Sequence, residues 1–219
     1  MTPGLVIFDC DGVLVDTEHT TNTVISQNLA RYGLAITPKD CLSLFVGGTM
    51  EAAGHQAQRL GAKLPQNWLS EIYSEIFAVL KQGVAVIDGV VAVLDRLEAL
   101  GVPTCVASNG PENKMDVTLA PSGLLKRFEG RIFSAHRYDT AKPEPELLLI
   151  AARHIGVAPE HCVMIDDSPA GVIAAKRAGM RAIGYDDQDD AQRLEKHGAE
   201  VISHMAELLP LLGFQPQVG

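Results

Sequence analysis

The sequence contains no apolar run that approaches the length needed to span a bilayer, which is about 20 residues for a helix. Its first residues lead almost directly into a short apolar segment and lack the pattern of a secretory signal peptide. These absences lead us to expect a soluble protein that is located in the cytoplasm and has no membrane partner.

Cysteine is scarce, and its occurrences are scattered without a C-x-x-C pair: Cys10, Cys41, Cys105 and Cys162. Such spacing suits a reducing compartment, in which each thiol packs as a small apolar group. Cys10 lies between two acids, but strand alternation would turn its side chain away from them, so we expect it to have a packing role. The histidines also lack the spacing of zinc ligands, and we expect no zinc site.

Clusters of basic residues are absent as well. The chain carries 18 Lys and Arg residues against 27 Asp and Glu residues, which gives a formal net charge of -9 at pH 7. A nucleic-acid partner would require a basic patch that neutralises phosphates, so we expect none. The 219 residues, 47% of them hydrophobic, can fill one large domain or a core domain with a smaller insert. A monomer is the default expectation.

The segment VIFDCDG, residues 6–12, organises the rest of the chain. A short apolar run bounded by a turn signal predicts a buried strand of a parallel sheet. Ligands bind beyond the carboxyl ends of such strands, which would place Asp9 and Asp11 at the mouth of a crevice. Two carboxylates this close repel each other unless a cation lies between them or one is protonated. The alternative is a loop that uses aspartate for its turn chemistry.

The hydrophobic pattern changes from strand to helix after Asp16. Apolar residues at helical spacing predict a first helix that ends at Gly33, followed by helices over 38–45, 49–60 and 66–82. Glycine and proline separate these segments, and no strand is predicted within residues 17–82. We therefore expect an all-helical insert directly after the first strand.

From residue 83 onward, strand and helix patterns alternate. The predicted strands cover 102–107, 131–134, 162–165, 182–185 and 199–202. The predicted helices cover 90–100, 112–119, 144–154 and 170–178. This alternation predicts a parallel sheet with helices on both faces, which is the α/β class. The residues after 214 are expected to be disordered.

Polar residues follow four of the predicted strands or lie in the loops after them. They are Asp9 with Asp11, Ser108 with Asn109, Lys142, and Asp166 with Asp167. Each group alone has an ordinary explanation in turn, capping or surface chemistry. Because the carboxyl ends of parallel strands meet at one edge of the sheet, we expect the four groups to converge on one crevice.

This combination indicates phosphoryl transfer through an enzyme carboxylate. One aspartate can attack phosphorus as a nucleophile, and a second can protonate the leaving oxygen and then deprotonate water. Charge on the transferring group can be stabilised by Lys142, Ser108 and the backbone N–H groups of Asn109 and Gly110.

The acidic residues also indicate a metal cofactor. Asp9, Asp166 and Asp167 offer hard oxygen ligands but no complete cage. This suits Mg²⁺, which keeps several waters and binds through few carboxylates together with substrate phosphate.

Four motifs in this order resemble those of the haloacid dehalogenase superfamily: D-x-D-G-V from Asp9, Ser108-Asn109, Lys142-Pro143 and D-D-S-P-A-G from Asp166. The resemblance covers nearly the whole chain and is closest to the branch of sugar-phosphate phosphatases and β-phosphoglucomutases. It implies a three-layer, Rossmann-like α/β core of residues 1–16 and 83–219, with a mobile helical cap of residues 17–82. Residues 108–115 further resemble those of bacterial 6-phosphogluconate phosphatases, which implies 6-phosphogluconate as the first substrate to test.

The superfamily also implies a role for each motif residue. Asp9 would be the nucleophile and Asp11 the general acid and base, while Ser108 and Lys142 would hold the phosphoryl group. The implied Mg²⁺ ligands are the Asp9 side chain, the Asp11 carbonyl and Asp167, with Asp166 bound directly or through water. The expected activity is that of a Mg²⁺-dependent phosphatase, which acts on a small phosphorylated metabolite through an aspartyl phosphate.

Two other functions remain open. A β-phosphoglucomutase-type mutase would share the Asp9 and Asp11 chemistry, but those enzymes carry a cap histidine and a cap arginine where Thr21 and Met50 align here. Neither residue can gate a proton or bind a second phosphate in the same way, which favours hydrolysis. A catalytically silent phosphometabolite-binding protein could lose Asp9 or Asp11 at no cost to binding, so the complete set of acids argues against it.

Overall fold

The computed structural model describes residues 2–45, 50–186 and 189–214. The chain forms two compact units, of which the larger comprises Met1–Val15 and Ala85–Gly219 and the smaller comprises Asp16–Val84. The predicted start of a helix at Thr49 and the predicted disorder of the last five residues lie outside the described residues.

A single sheet forms the centre of the larger unit. Its strands are β1 (Leu5–Phe8), β2 (Thr104–Ser108), β3 (Ile132–Ser134), β4 (Cys162–Asp166), β5 (Arg181–Tyr185) and β6 (Glu200–Ile202). Neighbouring strands are parallel throughout, in the order β3-β2-β1-β4-β5-β6. This confirms the predicted parallel sheet, and each predicted strand overlaps an observed one.

Helices flank this sheet and make up the smaller unit. They are α1 (Thr17–Arg31), α2 (Pro38–Phe45), α3 (Met50–Arg59), α4 (Trp68–Leu80), α5 (Val90–Ala99), α6 (Glu112–Leu119), α7 (Leu124–Arg127), α8 (Ala135–Tyr138), α9 (Glu146–Ile155), α10 (Pro169–Arg177), α11 (Gln192–Glu195) and α12 (Leu208–Leu211). Two 3₁₀ turns lie at Pro159–His161 and Met205–Glu207. None of the helices in the described ranges is long and apolar enough to cross a membrane.

The sequence pattern predicts the longer helices but not the one-turn helices α7, α8, α11 and α12. A single turn is too short to show the spacing of apolar residues on which the prediction depends. In the smaller unit the described residues contain α1 to α4 and no strand, as predicted.

The strand order reverses beside β1. The chain moves from β1 to β2 and β3 on one side, and β4 then lies on the other side of β1. In an open α/β sheet the loops that leave the two strands at such a reversal diverge, which opens a crevice at the carboxyl edge. Phe8 lies opposite Val106 in β2 and Ile165 in β4, so these three strands end at nearly the same level.

Apolar side chains cover both faces of the sheet. On one face, strand residues such as Ile7 and Met164 pack with Leu148 of α9 and Val172 of α10 in one buried cluster. The alternate residues of β1 and β4, which point to the other face, are buried as well. A sheet buried on both faces leaves its carboxyl edge as the place where polar groups can meet a ligand.

In the smaller unit a buried asparagine joins α1 and α4. Asn28 in α1 accepts a hydrogen bond from Trp68 Nε1 at 2.7 Å, and its Nδ2 donates to Glu71 and Glu75 at 3.3 and 3.2 Å. Gly54 in α3 leaves room for the indole ring, because a Cβ there would lie 2.5 Å from Trp68 Cζ3. The indole therefore connects three helices of this unit.

Replacing Asn28 by leucine should destabilise the smaller unit by about 2 kcal/mol, because it leaves the buried Trp68 N–H without its acceptor. The chain has one tryptophan, so urea unfolding followed by tryptophan fluorescence reports on this unit directly. Gln27→Leu, at the exposed neighbouring position, is the matched control. Equal stability of the two variants would contradict a structural role for Asn28.

Candidate active site

The carboxyl ends of three neighbouring strands bring the predicted site residues to one edge of the sheet. Asp9 directly follows β1, Ser108 is the last residue of β2, and Asp166 is the last residue of β4. The Asp9 N–H donates to the Ile165 carbonyl at 2.9 Å, which continues the pairing of β1 with β4 beyond Phe8. Strand pairing therefore sets the spacing of these side chains.

Lys142 lies between two carboxylates at this edge. Its Nζ lies 3.0 Å from Asp9 Oδ1 and 2.6 Å from Asp166 Oδ2, and 2% of its side chain is exposed. Burial alone lowers the pKa of a lysine, but the carboxylates of Asp166 and Asp9 outweigh it and hold the pKa of Lys142 above its ordinary value. The ammonium group therefore stays charged and joins the ends of β1 and β4.

Asp9 has a buried carboxylate oxygen that accepts no hydrogen bond within the described residues. This oxygen, Oδ1, forms the ion pair with Lys142. Burial raises the pKa of Asp9 to about 7; Lys142 offsets part of this effect, while Asp166 and Asp11 add to it. Such a carboxylate gains from a nearby cation and has an oxygen available for bond formation.

Asp166, in contrast, is held on both oxygens by protein groups. Its Oδ1 accepts hydrogen bonds from the backbone N–H and the hydroxyl of Ser168 at 2.9 and 2.6 Å, and its Oδ2 accepts from Lys142. Ser168 also caps α10 by accepting from the Gly171 N–H at 3.2 Å. A Cβ at Gly171 would lie 1.8 Å from Asp166 Oδ2, so only glycine fits there. The D-D-S-P-A-G motif thus fixes one carboxylate.

Three buried carboxylates form a cluster with the geometry of a cation site. One oxygen each of Asp9, Asp166 and Asp167 lies within 4.8 Å of the other two. The donor set consists of hard oxygens only, and the buried Asp9 Oδ1 still lacks a hydrogen bond, so the residues present fit a hard divalent cation. Gly12 adjoins the cluster at a φ of 74°, and a Cβ there would lie 2.5 Å from Asp167 Oδ2.

Asp11 is paired with a lysine to which the sequence motifs assign no role. Lys114, in the first turn of α6, places its Nζ 2.8 Å from Asp11 Oδ2, and the two side chains are 26% and 24% exposed. Although burial opposes the charge, Asp11 raises the pKa of Lys114 above its ordinary value. Its place one helical turn after the Ser108-Asn109-Gly110 loop is the sequence signal that could have indicated this lysine.

Side-chain hydrogen bonds hold the loop after β2. Ser108 Oγ accepts a hydrogen bond from the Gly110 N–H at 3.1 Å. The Gly110 N–H, which the sequence predicts as a donor to phosphate, is therefore already engaged. Ser134 at the end of β3 donates to the Gly110 carbonyl at 2.7 Å. The Asn109 side chain holds the main chain of Lys142, donating to its carbonyl at 3.0 Å and accepting from its N–H at 2.8 Å. The loop and Lys142 therefore form one connected structure.

Cys10 points away from the acids on either side of it. Its buried Sγ lies 3.9 Å from Thr118 Oγ1 in α6. Burial raises the pKa of this thiol well above its ordinary value, and Asp11 and Asp9 raise it further. Such a thiol stays protonated and is inert as a nucleophile, which confirms the expected packing role.

All of these groups lie within residues 3–179, which match the model of the haloacid dehalogenase-like hydrolases. The chain belongs to this family. In open α/β sheets, ligands bind at the carboxyl edge of the strands, where the acidic cluster and Lys142 are found. The predicted superfamily and its α/β fold are confirmed.

Individual relatives agree with this assignment. The 6-phosphogluconate phosphatase of Escherichia coli K12 is 30% identical over 82% of this chain and 81% of the relative. A solved haloacid dehalogenase-like protein from Agrobacterium tumefaciens is 34% identical, with a TM-score of 0.86 over 96% of this chain and 97% of that one. A HAD family hydrolase from Deinococcus radiodurans, solved with bound phosphate and sodium, is 29% identical, with a TM-score of 0.86 over 97% and 96% of the two chains. Family and relatives together make this chain a phosphoric monoester hydrolase.

Mg²⁺ should raise the melting temperature more at about pH 8 than at about pH 5.5. The pKa of Asp9 is about 7 in the folded protein against an ordinary 3.8. Between these two pH values the metal-free folded state therefore keeps a proton on Asp9 that the unfolded chain has lost. The stabilising contribution of Asp9 therefore falls as pH rises from about 4 to 7, and a cation must displace that proton at the lower pH. Thermal unfolding with and without Mg²⁺ at both pH values measures the difference.

In Asp9→Asn the pH-dependent part of the Mg²⁺ shift should disappear, since the titrating carboxyl group is gone. A wild-type shift of equal size at both pH values would contradict the prediction that Asp9 is a metal ligand.

Proposed function

We propose that this hydrolase releases inorganic phosphate from a small phosphorylated sugar or sugar acid by way of a phosphoryl group bound to Asp9. The observation that carries the proposal is the state of Asp9 at the switch point of the sheet. Its Oδ1 is buried, has no hydrogen bond within the described residues, and lies 3.0 Å from the ammonium group of Lys142. These are the conditions under which a carboxylate can act as a nucleophile at a dianionic phosphate.

The reaction has two steps, which transfer one phosphoryl group from the substrate to Asp9 and then from Asp9 to water. In the first, an Asp9 oxygen bonds to phosphorus, the ester P–O bond breaks, and Asp11 gives its proton to the leaving oxygen. In the second, water attacks phosphorus, Asp11 takes the proton from that water, and the Asp9–phosphorus bond breaks. Both aspartates return to their starting state, and the products are the alcohol and inorganic phosphate.

The loop after β2 and Lys142 are the groups proposed to hold the transferring phosphoryl oxygens. The Gly110 N–H donates to Ser108 Oγ, which leaves the hydroxyl proton of Ser108 free to point at a phosphoryl oxygen. The backbone N–H of Asn109 is a second proposed donor. Lys142 supplies positive charge, and the hydrogen bonds from Asn109 to its main chain keep it in place as charge moves from substrate to Asp9.

Mg²⁺ is the proposed cofactor. The side chains of Asp9 and Asp167 and the carbonyl of Asp11 would hold it, while Asp166 would contribute through water because Ser168 and Lys142 occupy its oxygens. When bound, the ion supplies positive charge that offsets the negative charge of the transferring phosphoryl group.

The smaller unit is proposed to be the cap that excludes water and selects the substrate. The similarity to a 6-phosphogluconate phosphatase makes 6-phosphogluconate the first substrate to test. Thr21 in α1 and Met50 in α3 support hydrolysis over the mutase reaction, since neither can gate a proton or bind a second phosphate as the mutase histidine and arginine do. Incubation with β-glucose 1-phosphate and a bisphosphate primer should release phosphate without sustained formation of glucose 6-phosphate.

Asp9→Asn should lower turnover by at least about 10³-fold, which corresponds to about 4 kcal/mol of barrier. The amide keeps the size of the side chain but is no nucleophile. The assay is phosphate release from 6-phosphogluconate, glucose 6-phosphate, sorbitol 6-phosphate and p-nitrophenyl phosphate, each in the presence of Mg²⁺.

Asp116→Asn, an exposed aspartate in α6, is the matched control and should keep wild-type turnover. Near wild-type activity of Asp9→Asn would refute the proposal that Asp9 is the nucleophile. Full activity of the wild-type protein in excess EDTA would refute the proposal of a metal cofactor.

A further inference from the structure

The site contains two ammonium groups with different surroundings. Lys142 is buried between Asp9 and Asp166, whereas Lys114 contacts Asp11 and keeps 26% of its side chain exposed. The two lysines therefore form two separate ion-paired groups, Lys142 with Asp9 and Asp166, and Lys114 with Asp11. One group contains the proposed nucleophile, and the other contains the proposed acid and base.

The position of Lys114 is fixed by the start of α6. Its N–H donates to the Pro111 carbonyl at 3.0 Å, and its own carbonyl accepts from Thr118 Oγ1 at 3.1 Å. The side chain then reaches back past Gly110, where a Cβ would lie 3.8 Å from Lys114 Cδ and 3.7 Å from Asp11 Oδ2. The start of the helix therefore brings the ammonium group to Asp11.

Asp11 needs such a partner because of the charge around it. Asp9, Asp11, Asp166 and Asp167 carry four carboxylates. Lys142 contacts those of Asp9 and Asp166, and Lys114 contacts that of Asp11. The Lys114 ammonium group, 2.8 Å from Asp11 Oδ2, attracts the Asp11 carboxylate toward α6 and opposes its repulsion from Asp9. Removal of this charge would leave that repulsion less opposed.

We propose that Lys114 is a positioning residue for Asp11, which holds this carboxylate where it can exchange a proton with the leaving oxygen and then with water. The inference rests on the proposed function, in which Asp11 is the acid and base. Lys114 acts through Asp11 and not on the phosphoryl group. Its removal should therefore slow only those steps that need a proton transfer.

The choice of leaving group provides the test. A sugar phosphate leaves as an alkoxide and needs a proton, whereas p-nitrophenolate leaves unprotonated. For Lys114→Met, single-turnover phosphoryl transfer from the fastest sugar phosphate of the panel should slow by about 30-fold or more, as general acid catalysis contributes roughly 10²–10⁴-fold. The rate of the pre-steady-state burst of p-nitrophenolate should stay within about threefold of wild type, since this leaving group needs no proton and general acid catalysis accelerates its release little.

A double-variant comparison tests whether the effect passes through Asp11. If Lys114 only positions Asp11, adding Lys114→Met to Asp11→Asn should cause no further loss with the sugar phosphate. Lys114→Arg should restore part of the rate, because a guanidinium group can contact the same carboxylate. Lys126→Met, at an exposed lysine of α7, controls for loss of charge as such.

Mg²⁺ binding gives a readout that does not depend on turnover. Thermal stabilisation is half-maximal at a certain Mg²⁺ concentration. Removing a positive charge near a cation site should leave this concentration unchanged or lower it, whereas distortion of the site would raise it. Unfolding midpoints of Lys114→Met should therefore respond to Mg²⁺ at least as sensitively as those of wild type.

Three results would overturn the inference: equal losses with both substrates, an undiminished rate with the sugar phosphate, or additive losses in the double variant. Failure of the proposed function looks different, because wild-type protein would then hydrolyse none of the sugar phosphates or would not need Asp9 for the p-nitrophenolate burst.

Discussion

The ion pair of Lys142 with Asp9 and Asp166 is the constraint on which the site depends. A buried ammonium group is tolerated only when carboxylates surround it, and a buried carboxylate only when a cation or hydrogen bonds compensate it. Removing one member would leave an uncompensated charge in the core, so the three side chains keep each other in place. Because they come from the ends of β1 and β4 and from the loop before α9, the same contact joins separate parts of the chain at the switch point of the sheet.

The neighbouring groups differ in how much freedom they retain. Asp166 is saturated by Ser168 and Lys142, whereas Asp9 keeps a buried oxygen without a hydrogen bond. This asymmetry separates a carboxylate that supports the site from one that can react. Two motif glycines leave room for neighbouring carboxylates: a Cβ at Gly171 would overlap Asp166, and one at Gly12 would overlap Asp167.

Much of this arrangement is predictable from sequence, because runs of apolar residues end at acids and parallel strands end at one edge of a sheet. The convergence of Asp9, Ser108 and Asp166 follows from that regularity, and Lys142 joins them from the loop before α9. The contact of Lys114 with Asp11 does not follow from it, because a lysine in the first turn of a helix resembles any solvated residue until the helix is placed. The engagement of the Asn109 side chain with Lys142, 33 residues later in the chain, likewise depends on loop geometry that no local pattern encodes.

The central claim is that the phosphoryl group passes through Asp9, and trapping the acyl phosphate tests it most directly. Enzyme turning over p-nitrophenyl phosphate is quenched with borohydride, which reduces an aspartyl phosphate to homoserine, and the peptide containing residues 5–16 is sequenced by mass spectrometry. The account predicts homoserine at position 9 in samples quenched during turnover and none in samples without substrate. Homoserine at position 11, or its absence at both positions while turnover proceeds, would contradict the account.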